Sequence, residues 1–323
     1  MFWLDILTLA FGYRRKLLKN NQKVLLSATS ELNTTGWVML KDKVGRSWYR
    51  FHRNAISIVG ASMVILVILL AIFAPYVTPY PHHAGPFTDL PNAFQPPSKS
   101  HWFGTDEIGR DLFTRVIFGY RISLILAVIV LVISVPIGVV LGLTAGYFGG
   151  RIEAIIMRAT DVFLALPPLV MALAICAAFT PTIEKAMLAI ASIWWTWHCR
   201  LVHGITRSIK TEEFVQASRV IGNSHFRIMF KDILPNCISA IIVKITLDAG
   251  FVILVGAGLS FLGLGAQPPK SDLGTMISYG AQYLPMKWWT TVFPSMAILF
   301  LILGFNLLGD GLRDMLDVES EGI

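Results

Sequence analysis

Residues 212–236 read EEFVQASRVIGNSHFRIMFKDILPN, a basic amphipathic stretch set between two long apolar runs. Phe214, Ala217, Ser218 and Ile221 recur at i, i+3, i+4 and i+7, the spacing of one helix face. Gly222 and Asn223 interrupt that helix, because both residue types tolerate left-handed backbone. Ser224 is placed to cap a second helix, on which Phe226, Met229, Phe230 and Ile233 repeat the spacing. Pro235 is expected to close the segment, since its ring disfavours helical backbone at Leu234. The reading is a compact knob of two short helices. Arg219, Arg227 and Lys231 are available to acidic groups on a partner. A membrane chain has a use for such a knob if something outside the bilayer grips it. Two helices lying on the membrane surface would also fit the local pattern. A DNA-reading helix-turn-helix fails on location, because both ends run into apolar spans.

Composition supports a membrane setting. The chain has 323 residues, of which 54% are hydrophobic and 15% charged, with a mean hydropathy of +0.63. Soluble domains carry about a quarter charged residues. The apolar residues come in long runs, so the fold class is an all-α polytopic membrane protein. Six spans are expected, near 55–75, 122–147, 155–180, 185–203, 238–262 and 290–309. Pro167, Pro168 and Pro181 interrupt the third and fourth, which neighbouring helices can tolerate.

Lysine and arginine set the orientation. Residues 1–54 hold ten Lys/Arg against three Asp/Glu, and residues 200–232 hold six against three. Residues 76–121 are balanced at four against four. The N-terminal tail and the 204–236 loop are therefore expected in the cytoplasm, with 76–121 and 263–288 outside. Six spans return the C-terminus to the cytoplasm. The net charge of +7 follows from this bias and suits anionic lipid rather than nucleic acid as an expected partner. Domain boundaries follow: a tail at 1–54, a six-span domain at 55–317 and a short tail at 318–323. At the N-terminus, Phe2, Trp3, Leu4, Ile6, Leu7 and Leu9 precede Arg14, Arg15 and Lys16. That order is the reverse of a secretory signal and fits an interfacial helix on the inner leaflet. A loosely ordered tail fits as well.

Few residues read as chemistry. Cys176, Cys199 and Cys237 lack metal or disulfide spacing. Cys199 and His203, with His198 adjacent, do not complete a zinc site and read as packing. His82, His83 and His101 lie in a Pro-rich outer loop that makes a poor metal site. No phosphate-binding loop occurs, so ATP is not bound by that device. No nucleophile–base pair stands out. The chain is therefore read as a non-enzyme, with catalytic residues none and metal none. Lys244 and Asp248 are four apart on one face of the fifth span. They either line a water-filled translocation pathway or pair with each other and fix packing. Arg158 and Asp161 form a similar couple in the third span. Trp194, Trp195 and Trp197 are expected as an interfacial belt.

Gln216-Ala217-Ser218, Gly222 and Ile233-Leu234-Pro235 resemble the "EAA" loop of ABC-importer permeases. Gln216 stands where that family has Glu, and Ser218 where it has a second Ala. Three further stretches resemble the second ("C") permease of dipeptide, oligopeptide and nickel importers. They are HWFGTDEIGRDLFTRVIFGYRISL at 101–124, LSFLGLGAQPPKSDLGTMISYG at 259–280 and FNLLGDGLRDML at 305–316. The residues themselves read as an outer elbow at Gly104, Asp106, Gly109 and Asp111, with Arg110 and Arg115 as charge partners. Gly256, Gly258, Gly263 and Gly265 allow close packing, and Pro268 and Pro269 end that helix.

The resemblance implies the type I importer fold, with six transmembrane helices and a cytoplasmic coupling loop, in a bacterial inner membrane. It implies as partners a homologous second permease, two ATPase subunits that bind ATP and magnesium, and an extracytoplasmic solute-binding protein. It implies ATPase coupling through Glu212, Glu213, Phe214, Gln216, Ala217, Ser218, Arg219, Gly222, Phe226, Arg227, Leu234 and Pro235. Short peptides are the implied cargo, with nickel or a metal chelate and glutathione-like solutes as alternatives. Two other classes compete: a secondary transporter or channel, and a membrane scaffold. The first predicts inverted repeats with broken helices, and no clear repeat is present.

Overall fold

A computed structural model describes residue 52 and residues 54–316. The interfacial helix expected within 2–16 and the acidic tail after Leu316 lie outside the described residues. Contacts divide the chain at Arg53/Asn54, and every helix below belongs to the unit from Asn54 onward. Among the described residues there is no strand, only an isolated bridge between Thr105 and Asp111.

The first helix, α1 (Ala55–Ile72), begins where the Asn54 side chain accepts the Ile56 N–H at 3.0 Å. Its buried positions are Ser57, Gly60, Val64, Val67 and Ala71, one stripe at three- and four-residue spacing. The other faces carry exposed Ile, Val and Leu, as a lipid-facing helix does. Next, α2 (Leu112–Phe148) runs for 37 residues, about 55 Å at 1.5 Å per residue. It starts at Asp111, whose carboxylate accepts the Thr114 N–H at 2.8 Å. It is followed by α3 (Gly150–Leu164), α4 (Pro168–Ala177) and α5 (Ile183–Ile209). The chain then forms α6 (Glu213–Val220), α7 (Leu234–Phe261), α8 (Leu273–Ala281) and α9 (Trp289–Leu316).

The α2–α5 pair is the most extensive contact in the bundle, and the sequence explains why. Gly138, Gly142 and Gly146 form a four-residue repeat along α2. A Cβ on Gly138 or Gly142 would strike α5 backbone at Trp195 and Cys199, and one on Gly146 would strike Thr206. Absence of side chains lets two helices approach backbone to backbone, the usual way of gaining van der Waals contact in lipid. The α1–α9 and α7–α9 pairs complete the bundle.

Among the described residues, four helices are long and apolar enough to cross a membrane: Ala55–Ile72, Leu112–Phe148, His225–Phe261 and Trp289–Leu316. The expected third span, 155–180, is two helices, α3 and α4, bent by 85° at the break before Pro168. Counted as one, they make a fifth candidate. The expected span at 185–203 lies within α5, which is 27 residues long but more polar than those four. The reason is its polar face, which bonds to α3 rather than to lipid: Arg200 pairs with Asp161, and His203 Nε2 lies 2.8 Å from Glu153 Oε1.

Two expectations are corrected here. Asp161 is paired across helices to Arg200, not along α3 to Arg158. Trp194 does not stand in the expected interfacial belt. Trp194 is buried near the middle of α5 with its ring centroid 4.9 Å from that of Trp197, where α5 meets the core.

Candidate functional site

The 212–235 segment is built on the end of α2. Glu212 takes extended backbone and starts α6, with Glu213 exposed in the first turn. Gln216 Nε2 donates to the Lys210 carbonyl at 3.1 Å, and Lys210 Nζ donates to the Gly146 carbonyl at 2.9 Å. Arg219 lies over the Tyr147 ring, 4.9 Å from its centroid. The Tyr147 hydroxyl is 2.8 Å from His225 Nδ1. Val215, Ile228, Met229 and Ile233 join Leu143, Tyr147 and Cys237 in a second apolar core beneath the segment.

Gly222 makes the turn. The Gly222 N–H donates to Arg219 O at 3.0 Å and the Asn223 N–H to Ser218 O at 3.2 Å. These are the two bonds of a Schellman ending, which requires positive φ at the residue between them. Gly222 supplies φ of 86°. Ser218 is buried, donates its hydroxyl to Asp232 Oδ2 at 2.6 Å and accepts from Asn223 Nδ2 at 2.8 Å. The segment is thus satisfied internally.

Its outer surface is apolar. Val220 is 88% exposed, Ile221 78%, Phe226 70% and Phe214 47%. The Phe226 ring lies 4.4 Å, centroid to centroid, from that of half-buried Phe230. Ala217 and Arg227 are exposed beside them. The helical period read from the sequence is present, and the structure supplies its direction: the counted residues do not all share one side. Phe214, Ala217 and Ile221 point outward, while Val215 and Ser218 point to the core. Val220 was missed altogether. It belongs to neither counted face, and only the seating of Val215 on α2 decides which side is free. An exposed apolar group of this kind marks a protein or membrane contact.

The second half of the knob is also corrected. No separate helix ends at Pro235. One α-helical turn at His225–Arg227, with the Ser224 hydroxyl accepting the Arg227 N–H at 3.4 Å, leads into a π turn at Ile228–Ile233. That turn runs on into α7, where half-buried Leu234 and exposed Pro235 occupy the first turn. Proline here forgoes one backbone bond to the preceding turn, and the wider π turn makes room for the ring. Asn236 Nδ2 donates to the Asp232 carbonyl at 2.7 Å at the same junction.

In α7, Lys244 Nζ lies 2.7 Å from Asp248 Oδ1, as the four-residue spacing implies. The structure separates their surroundings. Asp248 is buried, whereas the Lys244 side chain remains 30% exposed and borders a cavity. The sequence did not connect His198 to this pair, yet its Nε2 is 3.6 Å from Asp248 Oδ2.

The elbow before α2 holds a second charged group, in which Asp106, Arg110, Asp111 and Arg115 are buried and Glu107 is half-buried. Asp106 Oδ2 receives Arg110 Nε at 2.7 Å and Arg115 Nη1 at 2.8 Å. Glu107 lies 3.6 Å from Arg110, and burial, then the Asp106 charge, pushes its carboxyl above the usual range. His101 Nδ1 contacts Asp111 Oδ1 at 2.9 Å, and the Asp111 N–H donates to His83 Nδ1 at 2.8 Å. Burial, then neighbouring His82, lowers His83 below its ordinary value. These contacts are structural: they fold the loop onto the start of α2. No group of three or more metal-ligating side chains occurs among the described residues.

Residues 138–319 match the binding-protein-dependent transport system inner membrane component family, and residues 44–97 match the N-terminal TM domain of oligopeptide transport permease C. The dipeptide transport system permease protein DppC of Escherichia coli (strain K12) is 44% identical over 274 residues, covering 84% of this chain and 91% of that protein. DppC of Alkalihalophilus pseudofirmus is 42% identical over 272 residues, 84% and 88% of the two chains. The glutathione transport system permease protein GsiD of Escherichia coli O6:K15:H31 is 41% identical over 275 residues, 85% and 90%.

The chain belongs to the family of binding-protein-dependent transport permeases. A permease of this family is the membrane-embedded, non-enzymatic part of an ATP-driven importer, and ATP hydrolysis falls to partner subunits. An EAA loop is a feature of the family, and the 212–235 segment carries the stretch that resembles it. Its outward apolar edge sits on a body held by hydrogen bonds and a core of its own.

Proposed function

We propose that this permease carries short peptides into the cell. In this reading it forms the path together with a homologous second permease, as six spans whose termini lie in the cytoplasm. An ATPase subunit holds the 212–235 segment. Phe214, Val220, Ile221 and Phe226 enter an apolar groove, while Glu212, Glu213, Arg219 and Arg227 meet charges at its rim. ATP and magnesium stay on the ATPases. A solute-binding protein docks outside, on 76–121 and 266–288.

One observation carries the coupling reading. Four large apolar side chains stand exposed on a segment with no internal need of a partner. Burying them would gain roughly 1.5–3 kcal/mol per side chain before the costs of association. Short peptides are supported as cargo by the names of the similar permeases, which refer to dipeptides and in one case glutathione.

The test is crosslinking in membranes that hold the whole transporter. Ile221→Cys should crosslink to an ATPase subunit, and Phe226→Asp should remove both ATPase co-purification and peptide uptake while the permease still inserts. Crosslinking to lipid alone, or uptake surviving Phe226→Asp, would exclude this reading.

A further inference from the structure

The charged residues of α7 play no part in the segment above. A cavity of ≈ 400 Å³ opens between α5, α7 and α9. Leu201, Val243 and Leu247 contribute apolar wall, and Ser239, Lys244 and Arg313 are its polar groups. Both charged groups on the wall are cations. Arg313, exposed in the last turn of α9, has no partner among the described residues.

Depth argues against lipid as the natural occupant. Lys244 lies ten residues beyond Leu234, about 15 Å along α7, and about 25 Å from its other end. A phospholipid headgroup stays at the surface of the hydrocarbon layer. Ionisable residues inside a span face the bundle interior or a water-filled cavity and mark substrate pathways. The polar groups behind Lys244 are also incompletely satisfied. Asp248 Oδ2 and both ring nitrogens of His198 are buried without a hydrogen-bond partner, a condition that calls for water or a ligand.

We propose that Lys244 and Arg313 form a carboxylate-binding subsite on the solute's route, taking the C-terminal carboxylate of a passing peptide. The assignment of the carboxylate to a peptide rests on the cargo reading above. The charge-selective cavity does not.

The geometry supplies a way to bind and release. An arriving carboxylate draws Lys244 Nζ away from Asp248. A buried carboxylate stripped of its cation is strongly destabilised. His198 Nε2, 3.6 Å from Oδ2, is the nearest replacement donor, and it has no other partner to give up. Release follows when Asp248 reclaims Lys244 and the solute moves on to Arg313 at the end of α9. The bond exchanged is ionic throughout, and no proton need be lost from the protein.

The experiment uses Ser239→Cys in membranes containing the assembled transporter. The three native cysteines are buried, so the unsubstituted chain gives the background. An anionic water-soluble thiosulfonate should label Cys at 239 faster than its cationic counterpart, on the order of tenfold. Lys244→Gln with Arg313→Gln should bring the two rates together. Arg313→Gln alone, at an exposed helix end, should lower the preference without disturbing the fold, and Lys244→Arg should keep it. A dipeptide with a free C-terminus should protect the thiol, and its C-terminal amide should not. The proposal is overturned if neither reagent reaches position 239 in any nucleotide state, or if the anion preference survives loss of both cations. Anion preference without protection by any peptide would leave the cationic subsite standing and remove peptides as the cargo.

Discussion

The hydroxyl of Ser218 donates to the carboxylate of Asp232 at 2.6 Å, tying α6 to the π turn across fourteen residues of sequence. The bond sits beneath the exposed apolar edge, so it fixes the angle between the two halves of the segment. Ser218→Ala leaves Asp232 and Asn223 each short of a partner, at a cost of about 1–3 kcal/mol. We expect faster hydrogen exchange in 213–233 and a several-fold loss of uptake, with insertion unchanged. Faster exchange with full uptake would show that this stiffness is not needed for transport.

Gly222 is a backbone position only. An added Cβ meets nothing within 4 Å, yet φ is 86°. Gly222→Ala should therefore cost only about 1 kcal/mol, the price of left-handed backbone for a side-chain-bearing residue. Gly222→Asn should cost less, because Asn visits that region readily. Gly222→Pro should cost most, since it also removes the N–H bond to Arg219 O. Uptake, measured alongside ATP hydrolysis, should fall in that order.

The α2–α5 contact makes opposite predictions for two glycines. Gly142→Val forces the helices apart and should destabilise by about 1–3 kcal/mol or more. Gly204, inside α5 but exposed and with open space around it, should be stabilised by roughly 0.5–1 kcal/mol on replacement by Ala. Thermal unfolding in detergent separates the two. A stabilising Gly142→Val would refute the close-packing account.

Acid should loosen the outer elbow. His83 has a folded pKa below its ordinary 6.5 because it is buried, and its Nδ1 must stay unprotonated to accept the Asp111 N–H. The folded state then binds fewer protons than the unfolded one. Its contribution to stability is full above pH 6.5 and declines as pH falls through that value. The protection factor of the Asp111 amide, its exchange rate corrected for the intrinsic pH dependence, should fall as pH drops from about 7.5 to about 5.5. His83→Asn, which retains an acceptor oxygen, should flatten that dependence.

Much of the architecture was legible, because apolar runs and Asp111-type caps report on one chain segment at a time. The elbow charges were paired correctly for the same reason: Asp106, Arg110 and Arg115 are close in sequence. What the sequence obscured were relations between helices. Asp161 chose Arg200 over nearby Arg158, and His198 joined Asp248 from another helix. The outward direction of Phe214 and Ile221 was hidden as well, since a helical period states that a face exists and not which side is covered. Pro235 misled because a π turn absorbs a ring that would break an ordinary helix. The four-residue repeat of Gly138, Gly142 and Gly146 went unread, because only contact with α5 gives it meaning.

Continuity through Pro235 has a mechanical consequence. From His225 to Phe261 the chain is one helical run of 37 residues, about 55 Å long. A few degrees of tilt applied at Phe226 must reappear as a swing of Lys244 and a larger swing of Phe261. The loop and α7 thus form one helical body, so in the coupling proposed above a turn of the near tip steers the far one without any relay of side chains between them.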